Sequence, residues 1–217
     1  MRKLQRPSAP VCLKSYQYPT NTWNDVPRQC KDEIRQQLQK MQQDYCAYCE
    51  GRINRRHNDS HIEHFRRRKP NEHPHKTFEW KNLFNSCVYA DSCGKHKDNK
   101  STAKKINLDK VCKPDETDPG MLLQFLSNGY IQVKGGLPPH EKEIACNTLA
   151  IFNLNCARLV NLRKAVASHE QQEALAVHEL LHDCPGDLCL LEELNANLER
   201  IENDEFFMVR RQVWQRD

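Results

Sequence analysis

Apolar residues recur along this chain at two different spacings, and the change of spacing divides it into elements. Between Pro27 and Gln43, Ile34, Leu38 and Met41 fall three and four residues apart, which predicts a helix. Asp25 is placed to cap that helix, with Pro27 in its first turn. Residues 1–26 show little periodicity and read as an extended arm. HIEHF, His61–Phe65, alternates as a short strand does. RRRKPNEHPHK, 66–76, carries two prolines and several charges and reads as a loop. GKHKDNKSTAKKI, 94–106, suits a short helix, and DKVCKPDETDPG, 109–120, an acidic connector rich in turn formers.

MLLQFLSNGYIQV, 121–133, reads as two strands joined at Asn128-Gly129, a favoured hairpin dipeptide. The last third is helical. One helix is expected over Pro139–Phe152, with Ile144, Thr148, Ile151 and Phe152 on one face. A second is expected over Asn155–Asp183, stopped by Cys184-Pro185-Gly186, and a third over Asp187–Arg210. The result is an α+β protein in three parts: an arm (1–26), a compact segment (27–108), and a hairpin followed by helices (109–217).

Composition narrows the class. At 217 residues, 38% hydrophobic and with a mean hydropathy of -0.86, the chain is polar but has apolar residues enough for a core. No run approaches the length of a membrane span, and MRKLQRPSAPVCLK lacks the apolar stretch of a signal peptide. A soluble cytoplasmic protein is the expectation. The net charge of +4 is unevenly spread. Arg52–Lys105 holds 14 Lys and Arg against 6 Asp and Glu, a local +8, and the rest of the chain is at -4. A basic segment of this kind attracts phosphate backbones.

The same segment holds the chemistry. Eleven cysteines with no secretion signal make a disulfide scaffold improbable. Cys46-x2-Cys49 and Cys87-x5-Cys93 form a set of four thiolates suited to structural zinc, with His96 an alternative fourth ligand. The other seven cysteines read as small hydrophobes. In HIEH, alternation puts Glu63 on the face of His61 and opposite His64. His64 is then free to act as general base, while Glu63 and His96, with His61 as an extra ligand, could hold a divalent cation, Mg2+ or Mn2+. Asn82 can fix the loop that orients His64. Arg66, Arg67, Arg68 and Lys97 are the candidate phosphate contacts. His57, His73 and His75 read as exposed loop residues, and Trp23, Trp80 and Trp214 as packing anchors.

Glu63-His64, Asn82-Leu83 with Cys87, and Cys93 with His96 and Lys97 resemble the HNH, or ββα-metal, nucleases. Two features depart from that pattern: the five residues between Cys87 and Cys93, and the three-residue step from Cys93 to His96. The resemblance implies a zinc-stapled ββα-metal core, with His64 as general base, Asn82 as the orienting amide and His96 as a metal ligand. CAYCE, HIEHFRRR, WKNLFNSC, CGKHKDNK, DETDP and TLAIFNLNCARLVNLR further resemble the PtuB-type HNH nucleases of bacterial anti-phage defence, in Septu systems and some retrons. That resemblance spans about residues 20–165. It implies a PtuA-type ABC/AAA-like ATPase partner and, in the retron branch, a reverse transcriptase with its DNA-RNA product. The target, by the same resemblance, is DNA or RNA, including tRNA.

Two other readings compete. The cluster could organise a zinc-finger-like binding module without catalysis. His178-Glu179-Leu180-Leu181-His182 fits HExxH, a zinc-protease signature, with Glu192 or Glu193 as a third ligand. Leu180 and Leu181 read as core-facing residues and no further His follows, so a surface helix is the preferred reading of that motif.

Overall fold

The computed structural model describes residues 1–53 and 59–215, so His57 lies outside the described residues. It is an α+β protein with two small antiparallel sheets and, among the described residues, eight α-helices. Helix α1 spans Arg28–Gln42 and buries Ile34, Leu38 and Met41, the stripe the spacing predicts. Its N-cap is Pro27, not Asp25. Asp25 instead closes a short 3-10 turn at Trp23–Asp25, accepting from the Thr22 amide at 2.7 Å.

Strands β1 (Ser60–His64) and β2 (Leu83–Cys87) pair antiparallel, with His61 opposite Ser86, Glu63 opposite Phe84 and His64 opposite Leu83. All five residues of β2 are buried. A two-stranded ribbon is marginal alone, and this one is covered by α1 and by α2 (Cys93–Asn99). The helix expected over 94–106 is divided: Lys100 is extended, and α3 restarts at Ser101–Lys104.

After a short helix α4 (Pro119–Leu122), β3 (Leu123–Phe125) and β4 (Ile131–Val133) form the hairpin expected around Asn128-Gly129. Gly129 has φ +88°, and a Cβ there would lie 2.1 Å from the Val160 carbonyl oxygen. The turn can therefore rest on the following helices only with glycine at this position.

Helix α5 (Pro139–Phe152) ends at left-handed Asn153 and buries Ala145, Thr148, Ile151 and Phe152. Helix α6 (Ala157–Asp183) and α7 (Leu188–Glu202) form a long antiparallel pair, and α8 (Phe207–Trp214) packs against both. A single helix over Asp187–Arg210 was the expectation. The chain breaks at Asn203–Phe206 instead, because Phe206 turns left-handed, with φ 54°, and buries its ring. Its amide then bonds the Glu50 carbonyl at 3.1 Å.

One core joins these parts. Tyr48 stacks on Phe152 at 4.0 Å, and Phe65 and Phe84 complete the aromatic cluster. The N-terminal residues pack onto it rather than extending away, with Met1, Leu4, Leu13 and Trp23 buried. Arg6 bonds the Trp80 and Leu83 carbonyls at 2.7 and 2.9 Å and pairs with Asp115 at 2.6 Å. Contrary to the expectation that no cysteine outside the four-thiol set carries chemistry, Cys12 and Cys30 form a disulfide, with Cα atoms 5.7 Å apart, that ties residues 11–15 to α1. No helix among the described residues is long and apolar enough to cross a membrane.

The Phe152 ring joins α5 to the Tyr45–Arg52 turn by stacking on Tyr48. Phe152→Ala is expected to cost about 3–5 kcal/mol of stability, measured by urea denaturation.

Candidate functional site

The sulfurs of Cys46, Cys49, Cys87 and Cys93 lie within 4.8 Å of one another, and all four residues are buried. The first pair sits on a tight turn closed by an antiparallel bridge between Tyr45 and Arg52. The Cys46 amide bonds the Gly51 carbonyl at 3.0 Å, and Glu50 adopts φ 64° to complete the reversal. Cys87 ends β2 and Cys93 opens α2, so the five residues between them are the loop from strand to helix. The Cys87 amide points at the Cys46 sulfur, 3.4 Å away, a polarising contact that favours a thiolate.

Proton sharing in the cluster also fits a cation site. Burial opposes ionisation of Cys46, but hydrogen bonds from Cys49, Cys87 and Cys93 hold it well below the usual thiol range. Cys87 is pushed up by its bonds to Cys46 and Cys49, and Cys93 by burial. Four buried thiols this close cannot all ionise without a positive ion among them. Zn2+ satisfies the set: bonds of about 2.3 Å require sulfurs about 3.8 Å apart. Cys93 rather than His96 is the fourth member of the group.

Beside this centre lies a cleft of about 620 Å³, with His61, Glu63 and His64 of β1 on its floor. His61 Nε2 and Glu63 Oε2 are 2.8 Å apart, on the shared face that alternation dictates. Glu63 is buried, yet ionised. Burial works against its charge, but Lys97 at 2.8 Å and His61 lower its pKa to about 2. His64 points the other way. Its Nε2 donates to the Thr77 carbonyl at 3.0 Å, which leaves Nδ1 as the acceptor, and Trp23 meets its ring edge-on at 4.6 Å. Burial, reinforced by Arg68, lowers its pKa to about 4. The imidazole is therefore neutral at neutral pH.

Asn82 spans the ends of the loop that carries Thr77. Its side chain accepts from the Arg66 amide at 2.7 Å and donates to the Arg66 and Lys76 carbonyls at 3.0 and 2.9 Å. Its side-chain bonds go to backbone only.

The structure corrects four other assignments. His96 does not join Glu63: it lies off the cleft-facing side of α2, and its Nδ1 bonds the Ile151 carbonyl of α5 at 2.9 Å. Lys97 is fully buried, bonded to Glu63, Asp98 and the His64 carbonyl, and cannot reach a phosphate in solution. Arg67 is buried between Asp98 and the Lys97 and Ala103 carbonyls. Arg66 is paired with Asp109 at 2.5 Å. Of the proposed phosphate contacts, Arg68 alone is exposed on the cleft.

The cleft also presents Lys69, Lys95, Asn99 and Lys104, which the sequence reading did not single out. The signal was present in the helical period. Lys95, Asp98 and Asn99, at i, i+3 and i+4, share one face of α2, and His96 falls outside it.

The HExxH motif has no such surroundings. His182 is 89% exposed and lies beside Asp183, while His178 packs near Trp214. Among the described residues the four cysteines are the sole group of three or more ligand-type side chains.

Compared with known proteins, the chain matches no family model and no curated sequence.

Elemental analysis should find one zinc per chain in the unmodified protein and in His96→Ala. Cys49→Ser and Cys93→Ser are expected to lose it, and with it the cooperative unfolding of the ribbon.

Proposed function

We propose that this chain is a metal-dependent HNH endonuclease that hydrolyses phosphodiester bonds in nucleic acid. The observation that carries the reading is His64: a neutral, buried imidazole that lines a basic cleft and whose Nε2 is committed to a backbone carbonyl. A general base needs its unprotonated form at working pH and a fixed ring, and both are supplied here. In this reading His64 Nδ1 takes a proton from the attacking water. Asn82 holds the Arg66–Lys76 loop and so the carbonyl on which the ring pivots. Lys97 keeps Glu63 ionised and fixed against α2, where Gly94 leaves room for the carboxylate.

Glu63 and His61 are the residues that would hold a divalent cation. The donor set fits Mg2+ or Mn2+ in part: a carboxylate and an imidazole adjoin, and His61 Nδ1 is buried without a hydrogen-bond partner. Mg2+ commonly takes one or two protein ligands and completes its shell with water and substrate phosphate. When bound, such a cation stabilises the charge that develops on the phosphoryl oxygens. Because the base does not use a 2′-hydroxyl, DNA and RNA, tRNA included, are both substrates in principle.

The motif set that resembles PtuB-type nucleases supports a role as effector in anti-phage defence, with a PtuA-type ATPase as partner. A surface is open to such a protein. The α6–α7 pair exposes Leu175, Leu180, Leu188 and Leu191, and from Ala165 to Glu199 it carries eight Asp and Glu with no Lys or Arg. Arg200 and Arg210 pair with Glu170 and Glu173, and the remaining negative charge favours a protein over nucleic acid on this surface.

A second reading, the non-catalytic zinc-finger-like module, is favoured by one observation: no third His, Cys, Asp or Glu completes a ligand group with His61 and Glu63 among the described residues. It predicts binding that is indifferent to Mg2+.

The test is cleavage of DNA and total RNA by the purified protein, alone and with its genomic neighbour, with Mg2+ or without it. His64→Ala should lower the rate by about 10²–10⁴-fold with zinc content and far-UV spectrum unchanged. Retained cutting by that variant removes His64 from the chemistry, and no cutting under any condition favours the binding module. The acid limb of kcat/KM should fall with a midpoint near pH 4, since the neutral base form survives down to the pKa of about 4. A limb near the ordinary histidine value of about 6.5 would mean that another group is titrating.

A further inference from the structure

We propose that Arg68, Lys69, Lys95 and Lys104 form a track that grips a nucleic-acid backbone beside His64. The inference rests on the reading of this cleft as a nuclease site and adds to it which residues hold the substrate.

The argument is one of uncompensated charge. Two carboxylates line the cleft, Glu63 and Asp98. Both are paired from within, Glu63 with Lys97, and Asp98 with Lys97 and Arg67. The cations that do this are the buried ones. Arg68, Lys69, Lys95 and Lys104, by contrast, have no ion pair or side-chain hydrogen bond among the described residues, though all four line the same concavity. Four like charges left unpaired around one cleft repel one another, and a polyanion is the ligand that relieves that repulsion.

Placement selects the kind of polyanion. Arg68 and Lys69 follow β1, Lys95 lies on α2 and Lys104 ends α3, so the four cations reach the cleft from three different segments. His64 lines the same cleft. Four unpaired cations exceed the charge that a single phosphate brings, and a lipid surface cannot enter a cleft. A flexible chain of phosphates can lie across it, with one linkage over His64.

The experiment measures binding rather than cutting. His64→Ala protein is titrated into labelled single-stranded DNA, duplex DNA and RNA of one sequence in Mg2+-free buffer, by fluorescence anisotropy at several salt concentrations. Lys69→Gln, Lys95→Gln and Lys104→Gln, and the combined variant with Arg68→Gln, are made in that background. Zinc content and far-UV spectrum confirm their fold. Each substitution is expected to reduce the slope of log Kd against log salt by roughly 0.7–0.9, and the combined variant to lose most of the salt dependence. Lys142→Glu, on the exposed side of α5, is expected to change the slope no more than any distant charge does. If the combined variant binds with the parent's affinity and slope, or Lys142→Glu weakens binding as much, the track is wrong. A protein that binds through these residues but never cleaves retains the track and loses the nuclease reading. One that cleaves while ignoring these substitutions does the reverse.

Discussion

Four sulfurs within 4.8 Å of one another bring together three segments that are each too short to stand alone. The Tyr45–Arg52 turn has a single backbone bridge, β1 and β2 make a ribbon of five residues each, and α2 is two turns long. None of these is stable in isolation. Once the turn, the end of β2 and the first residue of α2 share a metal-binding centre, their relative positions follow. The floor of the cleft is then set, because β1 pairs with β2 and α2 crosses beside it. The site residues are therefore placed by a centre of which they are not part.

A second buried charge arrangement refines that placement. Glu63, Lys97 and Asp98 form a chain of ion pairs that also reaches the His64 carbonyl. Removing one partner from such a group leaves an uncompensated charge, which costs more than the pair contributes. The group thus fixes which way each member points. It commits Lys97 and Arg67 to the interior, and so leaves the outward chemistry to their sequence neighbours.

Much of this was legible along the chain. The period of three and four residues placed α1 and α5 within a residue or two, Asn128-Gly129 marked the hairpin turn, and CxxC marked the knuckle. Alternation alone put His61 and Glu63 together and His64 opposite. What escaped depended on long-range packing. Whether a lysine lies in solvent or under a strand was not written in CGKHKDNK; it was decided by Glu63, 34 residues earlier in the sequence. His96 points to α5 because the Ile151 carbonyl needs a donor there. The disulfide of Cys12 with Cys30 depends on how the arm returns over α1. The break before α8 comes from Phe206, whose ring finds a buried place that a continuous helix would deny it.

The Glu50 contacts bear on the order in which this protein is made. Its carbonyl receives the Phe206 amide and its carboxylate the Met208 amide, at 3.1 Å each, across more than 150 residues. A chain emerging from the ribosome presents all four cysteines long before it presents Phe206. The knuckle can collect its ion early, but the backbone around Glu50 gains these partners only once α8 has been synthesised. Until then the Glu50 carboxylate has only its partners from the start of the chain, the Met1 amine and Arg2.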